Sequence, residues 1–215
     1  EQEGATTITG NNFSVTFNNG MLSGYTVNGT SMLAAPLQLN AFRLPIDNER
    51  GRAGNYDRMG LRNLKLTTTQ LETTLSKDKQ TATVVMTNQY KSEGESSFVM
   101  RQVIDVLADG VLVINATIDP QPKNRELPRI GLRTEMPAGF ENMCWLGRGP
   151  HDSYVDRKES AHVGLYHSRV SDEWTNYVLP QEQGNKEEVR WMAITNDAGQ
   201  GLMVVAPERI AASVG

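Results

Sequence analysis

Short runs of alternating apolar and polar residues, separated by turn residues, constrain the fold of this chain more than any other feature. Residues 13–17 read Phe-Ser-Val-Thr-Phe, an Asn-Asn-Gly turn follows at 18–20, and a second run extends over 21–27. Side chains alternate between the two faces of a strand, and Asn and Gly tolerate the positive φ angles of tight hairpin turns. The pattern therefore predicts paired antiparallel strands.

This pattern recurs along the chain, and long amphipathic helical periods are absent. We predict further strands over residues 81–90, 98–107, 111–118, 129–136, 141–146, 189–195 and 202–206. Strands of this length with frequent turns are typical of an all-β sandwich of antiparallel sheets. Since 215 residues suit one large β domain and no linker divides the sequence, we expect a single domain over 1–215.

The clearest hairpin joins residues 98–107 to 111–118 through Asp109 and Gly110. Because side chains alternate along a strand, four apolar residues of the second arm share one face, which we expect to lie against a core. These residues are Leu112, Ile114, Ala116 and Ile118.

Composition limits the partners that the chain could have. Hydrophobic residues make up 38% and charged residues 21% of the sequence, and the formal net charge is -4. There is no basic run or stripe, so nucleic acid is not expected as a partner, and no apolar stretch is long enough to span a membrane. The single cysteine, Cys144, is compatible with either the cytoplasm or the periplasm and is expected to be a small core residue.

Two stretches interrupt the alternation, at residues 44–52 and 145–191. The second contains all three histidines and all three tryptophans of the chain. Long irregular segments in a compact β domain are usually functional or interfacial. The candidate functional residues are therefore expected in these two stretches.

The histidines and acids of the second stretch form no recognisable metal-binding or catalytic set. A zinc site needs closely set ligands, and the spacing of His162 and His167 does not suit such a pair, so no metal site is predicted. Glycoside hydrolysis needs two carboxyl groups that face each other across a sugar ring, and nothing in the sequence sets such a separation. Acids in loops are mostly solvated or paired, so no catalytic residue is predicted either. The acids considered are Asp152, Asp156, Glu182, Glu187 and Glu188.

Aromatic residues in this stretch are interleaved with polar ones, as in many ligand sites. The aromatic residues are Trp145, Tyr154, Trp174, Tyr177 and Trp191. The alternative is that the tryptophans anchor a core while neighbouring acids and arginines pair with each other. We favour this alternative for Trp145 and Trp191, which lie in strand-like runs.

Four stretches carry longer motifs. Residues 40–51 resemble the signature N-F-x-R-x-P-x-D-N-D-x-G, and residues 127–132 resemble a strand that reads L-P-R-I-G. Residues 145–157 resemble W-x-G-x-G-P-x-E-N-Y-x-D-R. Residues 177–185, followed by 189–191, resemble Y-x-x-P-Q-E-N-G-N-R-x-x-V-R-W. In this order, and over nearly the whole chain, the four motifs resemble the last domain of family 2 β-galactosidases.

The resemblance implies a β-supersandwich of the galactose-mutarotase-like type, preceded in a parent enzyme by sugar-binding, immunoglobulin-like and TIM-barrel domains. In this family the catalytic glutamates and the magnesium site belong to the barrel, which the last domain buttresses while helping to wall the sugar pocket. We therefore expect a non-catalytic domain without a cofactor of its own, whose partners are the upstream domains and a β-galactoside. The candidate pocket residues are Asp47, Asn48, Gly51, Arg52, Arg148, His151, Asp152, Tyr154, Asp156, Arg157, Glu182, Asn185 and Arg190.

The chain departs from the family pattern in three places. His151-Asp152-Ser153 replaces an acid-Asn pair, and Ala41 stands where an aromatic residue is common. Relatives also continue past residues 202–206 with more strands and a tryptophan loop that meets the sugar, so we expect a C-terminal truncation. Missing strands would leave sheet edges open, and we expect either pairing with a second copy, as a homo-oligomer, or a rearranged edge.

Two other functions remain open from the sequence. One is a carbohydrate-binding module. The other is a free-standing aldose 1-epimerase, which needs a histidine acid and a carboxylate base on opposite sides of one sugar. His151 or His167 with Glu182 is the pairing that the sequence offers.

Overall fold

A computed structural model describes residues 5–123 and 126–215. The chain forms two compact units, Glu1–Met136 and Pro137–Gly215. Both consist almost entirely of antiparallel strands, which confirms the predicted all-β class. Among the described residues, no helix is both long enough and apolar enough to cross a membrane.

The first unit contains two sheets. The strands are β1 (Ala5–Thr9), β2 (Phe13–Asn18), β3 (Met21–Val27), β4 (Thr30–Ser31), β5 (Ala35–Asn40), β6 (Lys65–Leu75), β7 (Thr81–Lys91), β8 (Ser97–Leu107), β9 (Leu112–Gln121) and β10 (Gly131–Glu135). One sheet has the order β1-β2-β3-β5-β10, with β4 paired to β3, and the other has the order β6-β7-β8-β9. A 3-10 helix, Asp47–Arg52, and the helix α1, Ala53–Met59, lie between β5 and β6.

The core of this unit lies on one face of β7 and β8. Every second residue of these strands is buried, as the alternation predicts. Tyr90, Phe98 and Met100 pack in one cluster with Leu39 at the end of β5 and with Met59 of α1. The two sheets and the helix therefore share one apolar interior.

A buried amide also joins the two sheets. The Nδ2 atom of Asn88 in β7 donates to the carbonyl of Gly20, in the turn between β2 and β3, at 2.7 Å. Gly20 has a φ of 69°, and a Cβ there would lie 1.7 Å from Oγ1 of Thr69, so only glycine fits this turn.

The second unit is built on a four-stranded sheet. Its strands are β11 (Asn142–Gly149), β12 (His162–Arg169), β13 (Asn185–Thr195) and β14 (Gly201–Ser213), in the order β12-β11-β13-β14. A 3-10 helix, Val170–Glu173, follows β12. Met143, Trp145, Val189 and Met192 form the core on one face of the sheet. Trp145 is fully buried, which confirms its predicted role as a core anchor.

The structure corrects the predicted burial of the second hairpin arm. β9 is the edge strand of its sheet, and its apolar stripe is only partly covered. Ile118 packs against the core and Leu112 is half-buried, but Ile114 is 37% exposed and Ala116 is exposed. An edge strand has a neighbouring strand on one side only. Its apolar side chains are therefore less buried than those of β7 or β8, although apolar and polar residues alternate in the same way.

The two stretches that interrupt the alternation, residues 44–52 and 145–191, contain more regular secondary structure than the sequence suggested. Residues 44–52 lead into a helix instead of forming an open loop, and β12 crosses the middle of 145–191. The strands β1, β4, β5 and β6 were not predicted either. A single domain over 1–215 and the galactose-mutarotase-like type remain predictions.

Candidate functional site

The candidate residues of the first unit lie on the 3-10 helix Asp47–Arg52. Asp47, Asn48 and Gly51 are exposed, and the side chain of Arg52 lies outside the described residues. A Cβ on Gly51 would have no heavy atom within 4 Å, so the backbone faces open space there. This segment therefore presents an accessible polar edge.

A two-point ion pair holds this segment. Arg43 donates from Nη1 and Nη2 to the two carboxylate oxygens of Glu49, at 2.6 and 2.8 Å, and from Nε to the carbonyl of Pro128 at 2.9 Å. The side chains are only 12% and 18% exposed. Burial alone would raise the pKa of Glu49, but the hydrogen bonds from Arg43 and from the Ile46 amide hold it below its usual range.

In the second unit, the loop after β11 is fastened to the start of β13. Asn185, which is buried, donates from Nδ2 to the carbonyl of Ser153 at 2.8 Å and to Oε1 of Glu187 at 2.9 Å. The Ser153 hydroxyl in turn accepts from the Glu187 amide at 3.0 Å. The hydroxyl of Ser213 donates to Oδ1 of Asn185 at 3.0 Å, so the last strand joins the same network. Asn185 is thus a positioning residue for the loop.

Asp152, on this loop, is the centre of a polar cluster. Its Oδ2 accepts from the Tyr177 hydroxyl at 2.9 Å, and its Oδ1 accepts from Nη2 of Arg157 at 3.1 Å. Arg157 also donates to the Tyr177 hydroxyl at 3.3 Å and lies over the ring of Tyr154, 5.5 Å from its centroid. The cluster therefore joins the loop at 152–157 to the segment that follows β12.

Tyr154 contributes an enclosed hydroxyl to this cluster. Its side chain is buried, and its hydroxyl has no hydrogen-bond partner among the described residues. Burial, and then the charges of Asp152 and Glu182, raise the pKa of Tyr154 far above its usual value. The hydroxyl is therefore a neutral donor, and it cannot serve as a base at neutral pH.

A second cluster surrounds Glu188, at a bulge where the pairing of β13 with β14 shifts register. Arg148 donates to Oε1 of Glu188 at 2.9 Å and also binds the carbonyls of Lys158 and Ala161. The ammonium of Lys158 lies 3.4 Å from the same carboxylate oxygen. Hydrogen bonds from Arg148 and Lys158 lower the pKa of Glu188. Glu188 has a φ of 52°, a left-handed backbone conformation that residues other than glycine rarely adopt.

A buried lysine was missed by the sequence reasoning. Lys186 in β13 is fully buried, 2.6 Å from Oε2 of Glu173 and 2.9 Å from the carbonyl of Pro150. Its ammonium also lies 4.8 Å from the ring centroid of Trp145. No local pattern distinguishes this lysine, because it precedes two glutamates and resembles an ordinary solvated position.

Two of the histidines make side-chain contacts with residues outside these clusters. The imidazole of His151 shares a hydrogen bond with the Ser160 hydroxyl at 3.1 Å, and Nε2 of His167 lies 3.9 Å from the sulfur of Cys144. Burial raises the pKa of the Cys144 thiol, which disfavours the thiolate. Cys144 is half-buried, so the prediction of a core position is only partly met. In the described ranges, no group of three or more His, Cys, Asp or Glu side chains could hold a metal ion.

The structure thus gathers part of the candidate set and separates the rest. Asp152, Tyr154 and Arg157 share one cluster, Arg148 lies in the Glu188 cluster, and Asn185 links the loop to β13. Arg190 donates to the Glu188 carbonyl, Glu182 is half-buried and Asp156 is exposed. Of the tryptophans, Trp191 is half-buried, and Trp174 is 74% exposed and presents an open indole ring.

Comparison with known proteins shows a family match and several related proteins. Residues 9–214 match the family described as beta galactosidase small chain. The chain is 31% identical over 206 residues to a β-galactosidase of Priestia megaterium, which covers 95% of the chain and 20% of the relative. It is 28% identical over 187 residues to a β-galactosidase of Vibrio cholerae, which covers 81% of the chain and 18% of the relative.

A third relative extends over a similar range. The chain is 24% identical over 220 residues to a β-galactosidase of Pseudoalteromonas haloplanktis, which covers 96% of the chain and 21% of the relative. The chain thus spans about a fifth of the length of these relatives.

Proposed function

The chain belongs to the β-galactosidase small-chain family, and on this premise we propose that it is the non-catalytic C-terminal domain of a larger β-galactosidase-like hydrolase. The observation that carries the proposal is the family match over residues 9–214. It extends through both structural units, so neither unit on its own accounts for the match.

The state of the acids in the second unit supports a domain without catalysis of its own. Retaining glycoside hydrolysis uses two carboxyl groups about 5–5.5 Å apart, both free to reach the sugar. Here Asp152 is bonded to Arg157 and Tyr177, and Glu188 is bonded to Arg148 and Lys158. Carboxylates engaged in this way hold loops in place. They are poor candidates for proton transfer.

In this proposal the catalytic glutamates and the magnesium ion belong to a TIM barrel elsewhere in the parent protein. The domain buttresses that barrel and helps to wall its sugar pocket. The exposed polar edge formed by Asp47, Asn48 and Gly51 and the cluster around Asp152 are the two surfaces that it offers for these roles. Terminal β-linked galactose, or a related glycoside, is the proposed substrate of the parent.

The test compares the parent protein with the isolated chain. We expect the parent to hydrolyse a chromogenic β-galactoside and the 215-residue chain to leave it intact. Arg157→Ala and Asn48→Ala in the parent should weaken hydrolysis without abolishing it, because neither residue performs the chemistry. Hydrolysis by the isolated chain would refute the non-catalytic role, and a parent gene without a barrel would refute the proposed role beside a barrel.

A carbohydrate-binding module is a second candidate, favoured by the open indole of Trp174. Sugar sites pair a flat aromatic face with a few polar groups, and Trp174 lies three positions before Tyr177, which donates to Asp152. Calorimetric titration of the chain with galactose and lactose separates this candidate from the first. Saturable heat that disappears in Trp174→Ala would favour it, and the absence of heat would leave the buttressing role.

A further inference from the structure

Two tight turns of the first unit are made by the same dipeptide. Asn19-Gly20 joins β2 to β3, and Asn28-Gly29 joins β3 to β4. In both turns the flanking strand residues pair directly across the two turn residues. Both asparagines have a φ of 49°, and the two glycines have φ angles of 69° and 79°. The turns therefore have nearly the same backbone, and they differ in their surroundings.

An asparagine followed by glycine carries the reactants for its own deamidation. The backbone nitrogen of the glycine attacks Cγ of the asparagine, and the side-chain amide leaves as ammonia with the proton that the attacking nitrogen gives up. The product is a five-membered succinimide ring, which water opens to aspartate or to isoaspartate. Glycine favours the ring closure because it has no Cβ and its backbone rotates freely. Asparagine is thermolabile where such a reaction can occur.

At the first turn, the attacking nitrogen belongs to a backbone that is packed and held. Gly20 is buried, and its carbonyl accepts at 2.7 Å from Nδ2 of Asn88, which is itself fully buried. A Cβ at Gly20 would lie 1.7 Å from Oγ1 of Thr69, so a side chain of β6 fills the space beside the glycine. Ring closure at Asn19 thus requires the Gly20 backbone to separate from β6 and β7.

At the second turn, the surroundings are open. Gly29 is exposed, and a Cβ there would have no heavy atom within 4 Å. The strand that follows, β4, is two residues long and pairs with β3, so this short hairpin can open locally at little cost. The Asn28 amide does donate to the Asn12 carbonyl at 2.7 Å, but that bond lies on the opposite side of the Asn28 Cα from the Gly29 nitrogen.

The asparagine side chains do not account for a difference between the turns, because Asn19 and Asn28 are both exposed. We propose that Asn28 is a site of spontaneous deamidation, with the Gly29 nitrogen as the internal nucleophile and water as the co-reactant. Packing of Gly20 protects the same dipeptide at Asn19. The reaction adds one negative charge to the β3–β4 turn, and isoaspartate also lengthens the main chain there by one methylene. This inference does not rest on the proposed function.

Peptide mass spectrometry of the folded protein, aged in mildly alkaline buffer, tests the proposal. Cleavage after Tyr25 places the two asparagines on separate peptides, and the conversion of each amide to an acid is followed with time. Because Asn19 must wait for a costlier local opening, we expect Asn28 to deamidate at least about tenfold faster. Equal rates, a faster reaction at Asn19, or an Asn28 that stays intact would each overturn the proposal.

The unfolded protein is the matched reference. In urea the two dipeptides have the same chemistry and neither is packed, so Asn19 and Asn28 should deamidate at similar rates. If Asn28 is as far ahead of Asn19 in urea as in the folded protein, the neighbouring sequence sets the difference. The protection that the proposal assigns to the packing of Gly20 would then be wrong.

Two substitutions on the exposed asparagines assign the product independently of the peptides. Asn28→Gln removes the reactive side chain, so the acidic species that ion-exchange chromatography resolves on ageing should fall sharply. Asn19→Gln should leave that species at the wild-type level. An unchanged acidic species in Asn28→Gln would show that the reaction occurs elsewhere and would overturn the assignment.

Discussion

The ammonium of Lys186 lies 2.6 Å from the carboxylate of Glu173, with the two side chains only 1% and 8% exposed. Lys186 comes from β13 and Glu173 from the 3-10 helix after β12. The pair therefore fastens the segment 174–184 at both of its ends. Removing one partner of a buried pair is costly, because it leaves the other charge without compensation.

We expect Lys186→Met to destabilise the second unit by about 3–5 kcal/mol. The double variant Lys186→Met/Glu173→Leu should lose less than the single variant, because no unpaired charge remains in the interior. Urea unfolding followed by tryptophan fluorescence measures both, since all three tryptophans lie in this unit.

The exposed pair Lys65–Glu93, at 3.0 Å, provides the control for this comparison. An exposed ion pair is screened by water and contributes little, so Lys65→Met should have little effect on unfolding followed by circular dichroism. If Lys186→Met costs no more than Lys65→Met, the buried pair does not stabilise the unit as described.

Acid should weaken the protein partly through Glu188. Its pKa is lowered in the folded state by hydrogen bonds from Arg148 and Lys158. A lowered carboxyl pKa contributes stability above the unfolded-state value of about 4.3, and this contribution disappears as the pH falls through the folded value. Glu188→Gln should therefore flatten the acid side of a plot of unfolding free energy against pH.

Arg148→Met is the companion variant for this measurement. Because it removes the first cause of the lowered pKa, it should flatten the same limb of the curve. If Glu188→Gln shows the same acid-side slope as the wild type, this carboxylate makes no net contribution to the pH dependence of stability.

A close approach of two backbone segments makes Gly94 sensitive to substitution. A Cβ at Gly94 would lie 2.2 Å from the carbonyl oxygen of Arg58, and one at Gly60 would lie 2.5 Å from the Gly94 amide nitrogen. Both contacts are with backbone, which cannot rotate away. Gly94→Ala should therefore cost about 1–3 kcal/mol in thermal or urea unfolding.

Gly131→Ala is the matched control, because a Cβ there would have no heavy atom within 4 Å. It should be neutral or slightly stabilising, since alanine restricts the unfolded chain more than glycine does. Equal costs at the two positions would indicate that backbone crowding around Gly94 is not the cause.

Lysine should not replace Arg43 in its ion pair with Glu49 without loss of stability. A lysine can meet one carboxylate oxygen but cannot reproduce the fork that binds both oxygens and the Pro128 carbonyl. We expect Arg43→Lys to cost about 1.5–3 kcal/mol and to speed hydrogen exchange of the 3-10 helix. Arg133→Lys, in an exposed pair with Glu135, should change neither measurement.

The sequence predicted β7 and β8 because burial alternates regularly along both strands. β7 and β8 are joined by a short turn, and their alternation of Val84 and Met86 with Met100 is plain in the sequence. β6 was not predicted because it is an edge strand rich in threonine, in which Leu66 and Leu71 are only half-buried. Few apolar side chains were available there to produce a pattern.

Other features depend on partners distant in sequence. Lys186 is buried against Glu173 and the ring of Trp145, which come from other elements of the unit. The residues next to Lys186 in the sequence do not indicate these contacts. The helix α1 did leave a signal, since Tyr56 and Met59 are buried and three positions apart. In a chain dominated by two-residue alternation, one helical turn of this kind was not recognised.

The pairing of β5 with β10 joins Asn40 to Gly131, residues about 90 positions apart, while β6, β7, β8 and β9 pair in sequential hairpins between them. Local hairpins close short loops, whereas a long loop must close before the β5–β10 pair gains any hydrogen bonds. The folding order follows from this: during refolding, amides of β7 and β8 should become protected from exchange before those of β5 and β10. The sheet β1-β2-β3-β5-β10 contains the first strand of the chain, and we expect it to be the last sheet of the first unit to be completed.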